Sequence, residues 1–351
     1  MAHTITRRAF HRTALGAGAV ALVAGAPRLG RAQERELVLI SYGGKLQEPH
    51  RWLADRMEKR HPGLKIRLVP SESQDVVAQI KAAQGHSPYD AMPNGEPPHL
   101  IGIREGYIQK VEPEKVPNYK NLYPEFVKKS QGYGAPATYS LIGLAYNTQL
   151  VKTPPASWAD LWRPEYKGLV GIPRASSNLG LGYLAIAAKI FGGAEDRLDP
   201  AFAKTKELKP VVGRTPTALA QLMERAEIGV APLWNNDAAA LAEKGMPIRF
   251  VKPEPGPVAI ISFFSAITRT RHPELVNEWL NGILSPEYQA YAADRPYYFG
   301  PTVRGVAVPD AAKPYTPSTP EEVLRLETVD WTKIVPVRGQ IVDRFDRELG
   351  A

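Results

Sequence analysis

Two long runs without a single charge constrain this chain more than anything else in it: residues 134–147 (GAPATYSLIGLAYN) and residues 257–268 (PVAIISFFSAIT). Both are apolar and partly β-branched, so both read as extended. The first reads as a strand that leaves one lobe for a second, and the later run as the return crossing. Around them strand and helix patterns alternate. Residues 36–41 (ELVLIS) are a strand and 48–60 a helix with Trp52, Leu53 and Met57 on one face. A strand at 64–69, a helix carrying Val76, Val77 and Ile80, and a short strand at 88–92 follow. Such alternation predicts α/β layers, with helices on both faces of a largely parallel sheet. A chain of 351 residues is long enough for about two domains of ~150 residues each.

Residues 1–32 stand apart from this pattern. Arg7 and Arg8 precede an apolar, Ala/Gly-rich run at 15–26, and Gly30-Arg31-Ala32 supplies small residues for cleavage. This is the composition of a twin-arginine export signal, cleaved near Ala32, and the run is shorter than the ~20 residues a membrane-spanning helix needs. The net charge of +8 falls to +3 once the five arginines of the first 32 residues are set aside. No later basic cluster with interleaved aromatics appears, so the charge makes no case for nucleic acid. There is no cysteine, which excludes thiol catalysis and thiolate metal sites and leaves stability to the core.

Beyond the first crossing, Ser157 and Asp160 have the spacing of a capping box, and Trp158, Leu161 and Trp162 form the stripe of a short helix before Pro164. Residues 168–172 (GLVGI) read as a buried strand. It runs into the polar loop Pro173-Arg174-Ala175-Ser176-Ser177-Asn178, which opens a helix. Unpaired N–H groups at a helix start, with Arg174, Ser176, Ser177 and Asn178 as further donors, favour a carboxylate or phosphoryl group. A second strand, at 228–233, ends in Trp234-Asn235-Asn236-Asp237 before another helix. There Trp234 can stack on a ligand and Asp237 can receive an amine. From the other lobe, Tyr42 with the Gly43-Gly44 turn, and Glu96 after Asn94-Gly95, face the same gap. The aromatics Tyr297, Tyr298 and Phe299 form its rim or pack in the core. The match Gly180-x-Gly182-x-x-Ala185 falls inside a helix rather than in the turn after a strand, which marks helix packing and not a dinucleotide. No G-x-S-x-G, H-E-x-x-H or Walker pattern occurs.

The residues 157–168 (SWADLWRPEYKG), with Ala145-Tyr146-Asn147, residues 106–110 (GYIQK) and Leu233-Trp234-Asn235-Asn236, resemble bacterial periplasmic substrate-binding proteins of ABC transporters, in particular the spermidine/putrescine-binding group of extracellular solute-binding proteins. The resemblance implies a two-lobed periplasmic-binding-protein fold of type II, each lobe a mixed sheet flanked by helices. Lobe 1 would comprise residues 33–140 and 264–310, and lobe 2 residues 141–263 and 311–351, with hinge strands near 137–147 and 257–268. It implies a periplasmic, non-catalytic monomer without cofactor or metal that closes on a small-molecule solute and delivers it to an inner-membrane permease. Polyamine binders carry acids where this chain has Pro173-Arg174-Ala175-Ser176-Ser177 and Ser262-Phe263-Phe264. The expected solute is therefore carboxylate- or phosphoryl-bearing, held by Arg174, Ser176, Ser177 and Asn178. Polyamine binding is the alternative, followed by ferric iron binding and an exported enzyme on the same fold.

Overall fold

The computed structural model describes residues 35–71, 73–83 and 86–350; the export signal read at residues 1–32 lies outside the described residues. The described residues start with β1 (Arg35–Ser41), α1 (Glu48–Arg60), β2 (Leu64–Pro70), α2 (Ser73–Ala82), β3 (Ala91–Gly95) and α3 (Glu96–Arg104). Pro49 opens α1, its buried face is Leu53, Ala54 and Met57, and Gly63 at φ +85° turns the chain into β2. After α4 (Pro124–Ser130) comes the long strand β4 (Ala135–Asn147).

The next stretch holds β5 (Gly171–Pro173), α5 (Asn178–Ile190), α6 (Asp199–Leu208), β6 (Val211–Gly213), α7 (Pro216–Glu224), β7 (Val230–Trp234), α8 (Asn235–Glu243) and β8 (Ile248–Val251). The second long strand, β9 (Val258–Ala266), leads to α9 (Pro273–Ile283), α10 (Pro286–Ala293) and β10 (Gly300–Pro301). The chain closes with α11 (Pro320–Leu324), β11 (Glu327–Thr328), α12 (Trp331–Ile334) and α13 (Arg338–Glu348).

The main sheet is mixed, with β1 parallel to β2 and β3, and β9 antiparallel to both β3 and β4. The two uncharged runs occupy its centre as β4 and β9. The first part of β4 lies between β9 and β10, and its last part between β7 and β8. The small pair β5–β6 joins through a bridge from Val170 to Val230. The hydrophobic core falls into two main clusters. One surrounds β1, α1, α9 and α10; the other surrounds α5, β7 and the C-terminal α12–α13. Between them a smaller cluster, including Phe126, Tyr139, Ile261 and Phe263, packs on the two long strands.

The SWADLW segment is a short 3-10 helix rather than an α-helix, because Pro155 and Pro164 leave it five residues, Trp158–Trp162. Its capping box is present, with the Ser157 side chain accepting from Ala159 N and the Asp160 carboxylate from Ser157 N. Trp158 and Leu161 are buried in the second core cluster. In α5, residues 179–188 are all buried, and the two glycines make this possible. A Cβ on Gly180 would stand 2.1 Å from the Arg174 carbonyl, and one on Gly182 would stand 2.4 Å from the Ile142 side chain.

Candidate functional site: a cleft over the two long strands

A cleft of about 810 Å³ opens above β4 and β9. Thr138 and Ser140 of β4 and Ile260, Ser262 and Phe264 of β9 form its floor, at the two-residue spacing that puts side chains on one face of a strand. One wall comes from the β1–α1 turn (Tyr42, Gly43, Leu46), with His50 of α1 and Gly95 of β3. The opposite wall is built from three helix starts: Asn178 of α5, Pro216 and Thr217 of α7, and Asn236 and Asp237 of α8. Trp234, the last residue of β7, stands beside Asp237, while Tyr288 and Phe299 complete the rim.

The β7–α8 junction is rigidly held. Asn235 is fully buried, its Oδ1 accepts from Leu141 N at 3.0 Å and its Nδ2 donates to Tyr298 O at 2.6 Å. This side chain stitches the junction to β4 and to the aromatic loop, and so fixes where Trp234 and Asp237 point. Across the floor, the Tyr42 hydroxyl lies 3.4 Å from Ser262 Oγ.

Asp237 is the one charged side chain lining the cleft among the described residues. Burial pushes its carboxyl up to about 6. His50 adds no positive charge, because burial holds its imidazole down to about 4 while Nδ1 shares a 2.6 Å hydrogen bond with Ser41 Oγ. The helix starts do not leave their donors all open. Gly180 N donates to Ser177 Oγ, Ala218 N to Thr215 Oγ1 and Asp237 N to Asn236 Oδ1. Asn178 Oδ1, by contrast, is a buried acceptor with no partner. The cleft thus presents unmet negative charge and unmet acceptor capacity.

Residues 102–329 match the family described as bacterial extracellular solute-binding protein. This chain belongs to that family. The solute-binding protein is 25% identical over 262 residues to the spermidine/putrescine-binding periplasmic protein of Escherichia coli, covering 71% of this chain and 73% of the relative. It is 24% identical over 336 residues to a gamma-aminobutyric acid-binding protein of Pseudomonas aeruginosa, covering 90% and 91%. Its fold matches the crystal structure of an ABC transporter protein from Clostridium perfringens with a TM-score of 0.78 at 22% identity, over 89% of this chain and 99% of that one. It is a periplasmic substrate-binding protein of an ABC importer, and its family and fold are those of non-catalytic proteins that hand solute to an inner-membrane permease.

Of the site residues expected from sequence, the structure brings Tyr42, Gly43, Asn178, Trp234 and Asp237 together in the cleft. Gly44 sits just behind the wall at φ +62°, where the backbone needs glycine to start the following 3-10 turn. Four residues lie elsewhere. Arg174 turns to the C-terminal helix, where its guanidinium grips Asp346 with both Nε, at 2.7 Å from Oδ1, and Nη2. That partnership raises Arg174 and lowers Asp346 from their ordinary pKa values. Ser176 is exposed, with its carbonyl accepting from Arg338 at 2.8 Å, and Ser177 caps α5 while donating to Arg174 O. The anion cradle expected at residues 174–178 is therefore not assembled in the cleft; α13 holds the loop through Asp346 on Arg174 and Arg338 on the Ser176 carbonyl. Glu96 is buried behind β9, where its Oε2 accepts from Ile261 N at 3.1 Å.

Sequence reasoning did not place His50, Thr138, Ser140, Ser262 or Tyr288 in the site, although Ser262 stands where polyamine binders carry an acid. A signal was present for three of them: Thr138 and Ser140 are two apart in an otherwise apolar strand, and Ser262 is the polar position in the middle of the other. Polar residues spaced by two on a long apolar strand mark the face that lines the cleft. His50 and Tyr288 reach the cleft from helix faces that pack on the core, and no local pattern distinguishes them from core residues.

Proposed function

We propose that this solute-binding protein captures a small aliphatic amine of the polyamine type, with one ammonium on Asp237, the carbon chain along Trp234 and Tyr42, and the far end among the hydroxyls of Thr138, Ser140 and Ser262. The observation that carries this is Asp237: a half-buried carboxylate in a cleft without a cation. An ammonium beside it gains a charge-assisted bond in a low-dielectric setting, and Asn178 Oδ1 offers a second acceptor. Trp234 adds a π-face for the cation or its methylenes. A dissolved anion meets the reverse field. The names of the E. coli and P. aeruginosa relatives both refer to ligands that carry an amine.

Closure follows from the two crossing strands. We take residues 33–140 and 264–310 as one lobe, residues 141–263 and 311–351 as the other, and 137–147 and 257–268 as the hinge. The two separate core clusters support this division. In this scheme the twin-arginine signal is removed near Ala32 and the mature chain works as a monomer.

Three helix starts on one wall favour a second reading, an ω-amino acid with its carboxylate toward α5 and α7. Calorimetric titration of the purified protein separates the readings. Putrescine and spermidine should bind and raise the melting temperature, since a ligand of the native state alone stabilises it. γ-Aminobutyrate binding with no response to diamines would replace the first reading by the second. Binding of a dicarboxylate or a phosphonate alone would end both.

A further inference from the structure

His50 is the third residue of α1 and lines the cleft from the wall opposite Asp237. Its side chain is held in place by its surroundings. Phe264 meets the imidazole edge-on with ring centroids 5.2 Å apart, Trp279 lies tilted at 6.0 Å and Tyr288 parallel at 6.5 Å. Nδ1 is taken by Ser41 Oγ at 2.6 Å, and Ser41, the last residue of β1, is fully buried. Nε2 has no hydrogen bond among the described residues and is not sealed off by protein atoms. The residue as a whole is only 7% exposed, and the space it borders is the cleft.

The hydrogen bonds around Ser41 decide what Nε2 can do. A serine hydroxyl carries one hydrogen. Ser41 Oγ donates it to Tyr42 O at 3.3 Å, so toward His50 the hydroxyl accepts, and the ring hydrogen sits on Nδ1. Burial keeps the ring uncharged by moving it down to about 4. Nε2 is then a lone pair at neutral pH. The hydroxyls of Thr138, Ser140 and Ser262 can donate or accept, whereas this nitrogen only accepts. It welcomes a donor and opposes a carboxylate. The two walls thus present unequal acceptors: a carboxylate on the Asp237 side, and on the other a neutral nitrogen beside the aromatic rings of Phe264 and Tyr288, which also favour a cation. An amine with a second amino group answers both walls. One that ends in a methyl group leaves Nε2 bare.

We infer that His50 is a specificity-determining residue of the cleft, its Nε2 accepting from the far amino group of the solute and so selecting a diamine over a monoamine. This rests on the amine reading of the cleft and adds the recognition of the second end. The test titrates the purified protein with putrescine and with n-butylamine, which has the same carbon chain and lacks the second amino group. Calorimetry should show putrescine binding more tightly, and in His50→Leu that preference should shrink about tenfold, the worth of one hydrogen bond from a charged group. A second measurement needs no variant and stands if His50→Leu fails to fold. With the histidine rings labelled with nitrogen-15, spectra of the free wild-type protein should show the His50 hydrogen on Nδ1. Putrescine should then shift the Nε2 signal more than n-butylamine does. A preference for putrescine that survives intact in His50→Leu overturns the role of His50 and leaves the amine reading standing. So does a hydrogen on Nε2 in the free protein, or an Nε2 signal that responds equally to the two amines. Failure of both amines to bind overturns the amine reading, and the role of His50 with it.

Discussion

The β5–α5 and β7–α8 junctions look alike in sequence and do different things. Each is a buried strand that ends in polar residues and opens a helix. At β7–α8 the chain turns with no loop at all, Asn235 pins the turn from below, and Trp234 and Asp237 are left facing the cleft. At β5–α5 a four-residue loop follows Pro173, and a helix from the far end of the chain closes over it. Arg174 meets Asp346 there, 172 residues away in sequence. What separates a cleft-facing junction from a structural one is thus not its own chemistry but whether another element has already answered it. The contrast also sets the sign of the cleft. Had Arg174 been free to turn inward, the cleft would hold one acid and one base; with Arg174 held by Asp346, the acid stands without a counter-charge.

The sharpest break of this comparison is a pair of variants measured against putrescine. Asp237→Asn should weaken binding about 100-fold or more, because it strips the partner from a desolvated ammonium. Arg174→Ala should change it less than about threefold, since a half-exposed ion pair outside the site contributes little. Equal losses in both would mean that the two junctions share one ligand. Next in size is Trp234→Ala, for which calorimetry should show a loss of about tenfold, the worth of an aromatic contact to a cation or its methylenes.

The pH dependence comes third. Asp237 titrates near 6, raised by burial, and only its ionised form attracts an ammonium. Affinity for putrescine should therefore be flat above pH ~7 and fall about tenfold from pH 7 to pH 5, with Asp237→Asn abolishing the slope. His50 stays neutral across this window. Affinity that is constant between pH 5 and 7 would place the ammonium elsewhere.

The smallest effect is on the empty protein. A carboxyl raised from 3.8 to about 6 binds its proton more tightly when folded, so its contribution to stability is full below pH ~4 and is lost as the pH rises through about 6. Asp237→Asn removes that loss. Thermal unfolding without ligand should show the variant about 2–4 °C more stable at pH 7.5 and no different at pH 4. A variant that is less stable at neutral pH would mean that Asp237 serves the fold rather than the ligand.

Much of this molecule is legible in its residues. The two uncharged runs are β4 and β9, and helix 48–60 ends where His61-Pro62-Gly63 ends it. Ser157 and Asp160 form their capping box even though the helix they cap is a 3-10 turn. In the site, Trp234, Asp237, Tyr42, Gly43 and Asn178 reach the cleft as their places at strand and helix ends imply. Glu96 shows where such inference stops. It occupies the same kind of place as Asp237, the first turn of a helix after a strand, but it faces the back of β9, where burial lifts its carboxyl to about 7 and Ile261 N donates to it. Glu96 is the first residue of its helix and Asp237 the third, and about half a turn of helix rotation decides between the front and the back of a strand.

By itself, then, the sequence determined the alternation of strands and helices, the two long uncharged strands, the caps that end helices, and the family whose blocks it carries. All of these depend on neighbours within a few residues, where spacing, capping and backbone preference act. Only the tertiary structure decided which strand ends face the cleft and which charge there stays without a partner. Those outcomes are set by residues far apart in the chain, because an ion pair or a buried hydrogen bond depends on distance in space and not on separation along the sequence.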